Sequence, residues 1–213
     1  MGHRESWTLN ETARSNNPGQ VQVEYLRWFL HYPVWPLGWL LGLMASIVLA
    51  LAVHWTFWLL AVLVLLPLNV LYWLRVRDHF MNGDTVPAVV ISLDPLLIAA
   101  GPDMTKGHGS YPAIKIMKIP LKTLMGRLPQ IGDTLPTVAL YNTDPENKPY
   151  WVDVHPRPVE AGTSNLQIVQ WKLMSIPRHE WDRLYTSLRQ VPLPYRCGLY
   201  FTPGATGEQR QLW

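Results

Sequence analysis

Cys197 and the histidines at 108, 155 and 179 are the side chains best suited to nucleophilic or acid–base chemistry. An activated nucleophile needs its base within hydrogen-bond reach, and the spacing of these four supplies no such couple. His108 lies in Gly107-His108-Gly109, the context of a surface loop. The surrounding run Gly101-Pro-Asp-Met-Thr-Lys-Gly-His-Gly is glycine-rich but lacks the strand–loop–helix setting that cradles phosphate. No His-Glu-x-x-His, no Gly-x-Ser-x-Gly and no clustered pair of carboxylates occurs. A single cysteine excludes an internal disulfide and a multi-cysteine metal site. The expectation is a protein that is not an enzyme, with no catalytic, cofactor-binding or metal-binding residues. A net charge of +3 with no basic helix or aromatic RNA-binding motif argues against nucleic acid as a partner.

One charge pattern stands out. Between Met104 and Ile131 lie Lys106, Lys115, Lys118, Lys122 and Arg127, with no acidic residue. On a tethered domain such a face is drawn to anionic lipid headgroups by about 1 kcal/mol per cation. Lysines also protect a solvated sheet edge from unwanted pairing, and the two readings carry equal weight. Lys115, Lys118, Lys122 and Arg127 are the candidate headgroup contacts.

The elements that must position these groups divide the chain sharply. From Pro33 to Leu74 there is no Asp, Glu, Lys or Arg, and His54 is the one histidine. A bilayer core of about 30 Å takes about 20 apolar helical residues, so this block predicts two spans, near 36–53 and 56–74. His54, Trp55 and Thr56 supply the turn between them. Pro36 suits a first helical turn, and Pro67 predicts a bend in the second span. Tryptophan favours the membrane interface, so Trp35 and Trp39, Trp55 and Trp58, and Trp73 are read as interface anchors. Arg27 precedes the first span, Arg75 and Arg77 follow the second, and the connection carries no cation. The positive-inside rule then puts both termini in the cytoplasm.

Within the first span, Gly38, Gly42, Ser46 and Ala50 recur every four residues and form one stripe. Small residues let a neighbouring backbone approach closely in lipid. The stripe either seats the second span or docks another membrane subunit, and seating is the simpler reading.

The remaining chain is read as a polar tail over 1–20, an interfacial helix over 21–34, the hairpin over 35–75, a β-rich cytoplasmic domain over 83–203 and a tail over 204–213. Short apolar runs bracketed by Pro, Gly, Asp and Asn predict strands at 86–93, 96–100, 113–121, 135–142, 150–154 and 166–174. Gly83-Asp-Thr-Val-Pro and Gly132-Asp-Thr-Leu-Pro echo one another as strand entries of a small barrel. Pro177 opens a segment in which Trp181, Leu184, Tyr185 and Leu188 fall at helical spacing. The expected fold is therefore a two-helix membrane hairpin joined to a small, mainly-β, barrel-like α+β domain with one late amphipathic helix.

Two spans, a Gly-Asp-entered β-domain and the late Ile176-Pro177-x-x-Glu180-Trp181 helix resemble a bacterial family of uncharacterised two-span membrane proteins. In architecture alone the chain also resembles the NfeD-type membrane proteins, which implies action as a partner of other membrane proteins. Location in the bacterial inner membrane is implied. The expected function is that of a non-enzymatic accessory or scaffold subunit of a larger membrane complex, such as a photosynthetic or respiratory assembly. Its partners are other integral membrane subunits and membrane lipids. The alternatives are a tethered regulatory or anionic-lipid-binding module and, third, a membrane-bound hydrolase.

Overall fold

The computed structural model describes residues 6–7, 14–106, 109–142 and 148–202. His108, most of the polar tail expected over 1–20 and the tail over 204–213 lie outside these residues.

Helix α1 (Tyr25–His31) leads into α2 (Val34–Ala52), and after a turn at 53–55 the chain returns as α3 (Thr56–Asn82). The 19 residues of α2 rise about 28 Å. Both α2 and α3 are long and apolar enough to cross a membrane, yet only 17% and 6% of their most apolar windows are buried. Their leucines and valines point outward, the reverse of a soluble core helix. Proline at position 67 removes an N–H and crowds the preceding turn. The helix absorbs this as a π-turn over Ala61–Leu65, immediately before it.

Six strands follow: β1 (Asp84–Leu93), β2 (Leu96–Ala100), β3 (Ala113–Lys118), β4 (Thr134–Asn142), β5 (Asp153–Pro158) and β6 (Gly198–Phe201). They form one antiparallel sheet in the order β5-β4-β1-β2-β3-β6, curled into a half-barrel. The curl is visible in a contact from β3 to β5, four places apart in the sheet: Lys115 Nζ reaches Asp153 Oδ1 at 2.6 Å. The two echoed entries turn out to be partners, with Pro87 opposite Pro136. In this register the N–H that each proline lacks would point past the end of a neighbouring strand, β2 at Ala100 and β5 at Pro158. No ladder bond is lost. Edge strand β5 carries Pro156 and Pro158 in alternate positions, which blocks the addition of a further strand.

A single helical turn, α4 (Val159–Gly162), follows β5, and two longer helices cover the sheet. The run expected as a strand over 166–174 is instead helix α5 (Leu166–Ser175). Asn165 decides this by accepting from the Gln167 and Ile168 N–H groups, an N-cap that Leu-Gln-Ile-Val-Gln continues as helix. Helix α6 (Arg178–Leu188) buries Leu184 against β1 and β3 and leaves Arg178 and Asp182 exposed. The strand expected over 150–154 runs from 153 to 158. The helix expected over 21–34 is limited to α1, and its Trp28 is buried against Phe80.

Hairpin and half-barrel meet at Phe80, whose side chain is wholly buried. Three segments of backbone pass closely at this joint. Residues 17–21 run beside the exit of α3: Gly19 N donates to Gly83 O (2.8 Å), Gln20 N to Met81 O (2.9 Å) and Val21 N to Phe80 O (3.1 Å). A Cβ on Gly19 would stand 2.3 Å from the Phe80 carbonyl oxygen, one on Gly83 2.4 Å from the His79 carbonyl oxygen, and one on Gly162 2.6 Å from the Phe80 ring. At Gly38, by contrast, a Cβ meets nothing within 4 Å. Gly83→Ala and Gly162→Ala are expected to lower stability by about 1–3 kcal/mol through overpacking, while Gly38→Ala is neutral or stabilising. Thermal unfolding of the detergent-solubilised chain checks the contrast; equal effects at 38 and 83 would refute this picture of the joint.

Candidate functional site

At the junction, helix α1, the base of α2, the end of α3 and strands β4 and β5 enclose a cleft of about 340 Å³. Its inner wall is aromatic. Trp28 stacks on Tyr32, with ring centres 4.2 Å apart, and its indole Nε1–H donates to the Tyr72 hydroxyl at 2.9 Å. Arg157 reaches in from β5, its guanidinium 4.4 Å from the Trp28 ring centre and 5.5 Å from that of Tyr32. Arg75 borders the cleft from α3, and Trp35 and Trp39 border it from α2. At the rim, His155 Nε2 lies 3.0 Å from Asn142 Nδ2 and 3.6 Å from Asp153 Oδ2.

Burial lowers the affinity of Arg157 for its proton, as it does for His155. His79 forms the floor. Its Nε2 lies 2.8 Å from the Val138 carbonyl oxygen, so a neutral imidazole donates there and pins α3 to β4. Burial first, then the charge of Arg157, pushes His79 down to about 3.

A second group of charges gathers around Asp84, the first residue of β1. The Asp84 carboxylate accepts from the Ser15 hydroxyl (2.7 Å) and from the Tyr141 hydroxyl (3.2 Å), and burial raises its pKa. Asp103 pairs with Arg183 on α6. Nearby Glu180 is pushed up to about 7 by burial and by the charge of Asp84. Among the described residues no three His, Cys, Asp or Glu side chains stand where they could hold a metal ion. Cys197 is exposed and makes no hydrogen bond with His155 or His179.

The structure distributes the residues singled out in the sequence unevenly. In the small-residue stripe, Ser46 is buried and its hydroxyl donates to the Phe57 carbonyl at 2.7 Å. Ala50 is buried, and Gly42 has Leu65 at 4.0 Å from a Cβ position, whereas Gly38 faces open space. The turn half of the stripe thus seats α3, and its base is uncovered. Trp35, Trp39 and Trp73 gather at the hairpin base, with Trp73 edge-on to Tyr25 at 5.4 Å; Trp55 and Trp58 sit at the turn end. The four cations do not form one free face. Lys115 is paired with Asp153, and Arg127 with Asp133 at 2.5 Å, leaving Lys118 and Lys122 exposed. The pairings join residues far apart in the chain or across a turn, so a count of neighbouring charges missed them. Sequence reasoning passes over Arg157 and His79, and it places Trp28 and Tyr72 at the membrane interface without bringing them to a common site. The one available signal was that His155 and Arg157 alternate along one strand face between prolines.

The family described as "Protein of unknown function (DUF3239)" matches residues 74–192, more than half of the chain. The chain belongs to the DUF3239 family. That agrees with the resemblance to an uncharacterised family. The DUF3239 segment opens at Leu74, the last residue before Arg75, and runs past α6. It therefore contributes Arg75, His79 and Arg157 to the cleft, while Trp28, Trp35 and Trp39 come from the hairpin side. No curated protein and no solved structure matches the chain.

Two of the shifted groups, His79 and Glu180, make opposite predictions. His79 titrates far below the 6.5 of a free imidazole, so its contribution is present above pH 6.5 and is lost as pH falls toward 3. His79→Gln is expected to flatten the fall of the melting midpoint across that acid range; an unchanged slope would contradict a neutral buried imidazole. Glu180 is raised above 4.5, so its contribution is full below pH 4.5 and is lost as pH rises through about 7. Glu180→Gln should therefore raise the midpoint relative to wild type at pH 8 but not at pH 4.5. A benefit of equal size at both values would rule out the raised carboxyl.

Proposed function

We propose that the chain is an integral membrane protein whose α2–α3 hairpin crosses the bilayer with both termini on the cytoplasmic side. The half-barrel is then held against the cytoplasmic leaflet as an interaction module, without catalysis of its own, in a larger membrane assembly. The observation that carries this is the outward display of the hairpin's apolar side chains, with 17% and 6% of the two apolar windows buried. A water-soluble monomer rarely leaves a continuous apolar surface of that extent uncovered. Helix α1 supports the same placement. Trp28 faces inward, while Tyr25, Leu26 and Leu30 are exposed beside the base of the hairpin, as an interfacial helix requires. The first charges on α3, Arg75 and Arg77, set the cytoplasmic boundary.

Assembly with other membrane subunits is favoured by the uncovered base of the stripe. Gly38 offers a flat surface where a neighbouring helix backbone could lie. The basic-face alternative is weaker, because Lys115 and Arg127 are neutralised within the domain.

The single cysteine is a built-in topology probe. Cys197 is exposed on the half-barrel, so a membrane-impermeant maleimide is expected to label it in inverted vesicles and not in intact cells. The Cys197→Ser, Trp55→Cys variant should show the reverse. Labelling of both sites from the same side, or release of the chain by alkaline carbonate without detergent, would defeat this reading.

A further inference from the structure

The cleft at the base of the hairpin holds a cation for which the described residues supply no carboxylate partner. Among the described residues neither Arg157 nor Arg75 has a carboxylate within 4.0 Å. The acid that does line the cleft, Asp78, accepts from Asn82 Nδ2 at 2.6 Å. Beside Arg157 the Tyr32 hydroxyl is buried without a hydrogen-bond partner. The Trp28 indole N–H is already used by Tyr72. Aromatic faces offset part of the cost of burying a guanidinium, but its N–H groups still require acceptors, and a buried charge without a counter-ion is costly. These donors suit an anion with several acceptor oxygens. A planar guanidinium fork fits the oxygens of a phosphate two at a time.

Position identifies the source of that phosphate. Arg75 is the first charge after the apolar run, and Trp35 and Trp39, at the start of α2, border the same cleft. In an inserted hairpin, tryptophans in such positions mark headgroup depth.

We propose that this cleft binds the phosphate of an anionic phospholipid of the cytoplasmic leaflet, with Arg157 and Arg75 holding its oxygens and Trp35 and Trp39 flanking its glycerol and upper chains. The inference rests on the membrane insertion proposed above. It differs from attraction to a basic surface, because one lipid is selected by a built site rather than by scattered lysines.

The test uses the full chain, purified in detergent and returned to nanodiscs of phosphatidylcholine with or without phosphatidylglycerol. Native mass spectrometry counts retained lipid, and thermal unfolding reads stabilisation. Wild type is expected to retain one phosphatidylglycerol per chain and to melt higher with it. Arg157→Met should weaken retention by about tenfold or more without lowering the melting midpoint of the lipid-free chain, since it removes an unpaired cation. Arg75→Gln alters an exposed side chain, leaves the fold intact and should weaken retention in the same direction. Lys118→Gln, on the exposed lysine of β3, should change nothing. Equal retention of phosphatidylglycerol by wild type, Arg157→Met and Arg75→Gln would overturn the proposal, as would equal retention of phosphatidylcholine by wild type. Stabilisation by inorganic phosphate in detergent equal to that by phosphatidylglycerol would overturn the lipid source in favour of a free phosphate. Release by alkaline carbonate reports failure of membrane insertion itself, whereas a chain that stays in the membrane yet shows no lipid preference sinks this inference alone.

Discussion

The enclosure of Phe80 is the constraint on which the architecture rests. The Phe80 ring is wholly buried, edge-on to Trp28, and the segments that meet around it pass so close that glycine is required at three points. Gly162 lies against the ring itself, Gly19 against the Phe80 carbonyl and Gly83 against the His79 carbonyl, three positions distant in sequence or on different elements. Each brings a different part of the chain: the stretch before α1, the exit of the hairpin and the helical turn after β5. Hydrogen bonds then fix what the ring has gathered. Asn17 O accepts from Thr85 N at 2.8 Å, and Gly162 O accepts from Glu24 N at 2.8 Å. Lys172, almost wholly buried on α5, donates to the Pro18 carbonyl at 2.7 Å. The result is a joint in which a long apolar hairpin and a curled sheet have little freedom to rock against each other.

Rigidity at the joint gives the cleft its meaning. Arg157 comes from an edge strand and Trp28 from a helix that precedes the hairpin, so their stacking exists only while the joint is closed. His79 sits one residue from Phe80 and ties α3 to β4 from inside the same joint. A headgroup in the cleft would therefore touch the hairpin base and the half-barrel together. Lipid binding and the seating of the domain on the membrane would be one event.

Much of this fold was legible in the sequence, and the gaps have physical causes. The hairpin was plain because an uncharged run of such length has few other uses. Leu96–Ala100 was found to the residue because turn signals close it on both sides. Helix α5 was misread because Leu-Gln-Ile-Val-Gln alternates like a strand, and the decisive Asn165 cap lies one residue before it. The cleft was invisible for a different reason. Its cation, its aromatic wall and its histidine come from separate segments, and nothing in local spacing announces that Arg157 will lie over Trp28. The basic stretch misled in the opposite sense, since Asp153 reaches Lys115 only when the sheet has curled.

The closed joint is also the part of the account most open to direct measurement. Hydrogen–deuterium exchange of the full chain in lipid nanodiscs reads it amide by amide. The amides of Gly19, Gln20, Val21 and Glu24, all outside regular strands, should be protected as strongly as those of β1 and β4. Exchange of these four at the rate of an open loop, while the sheet stays protected, would mean that the hairpin and the half-barrel are separate bodies and would contradict the account.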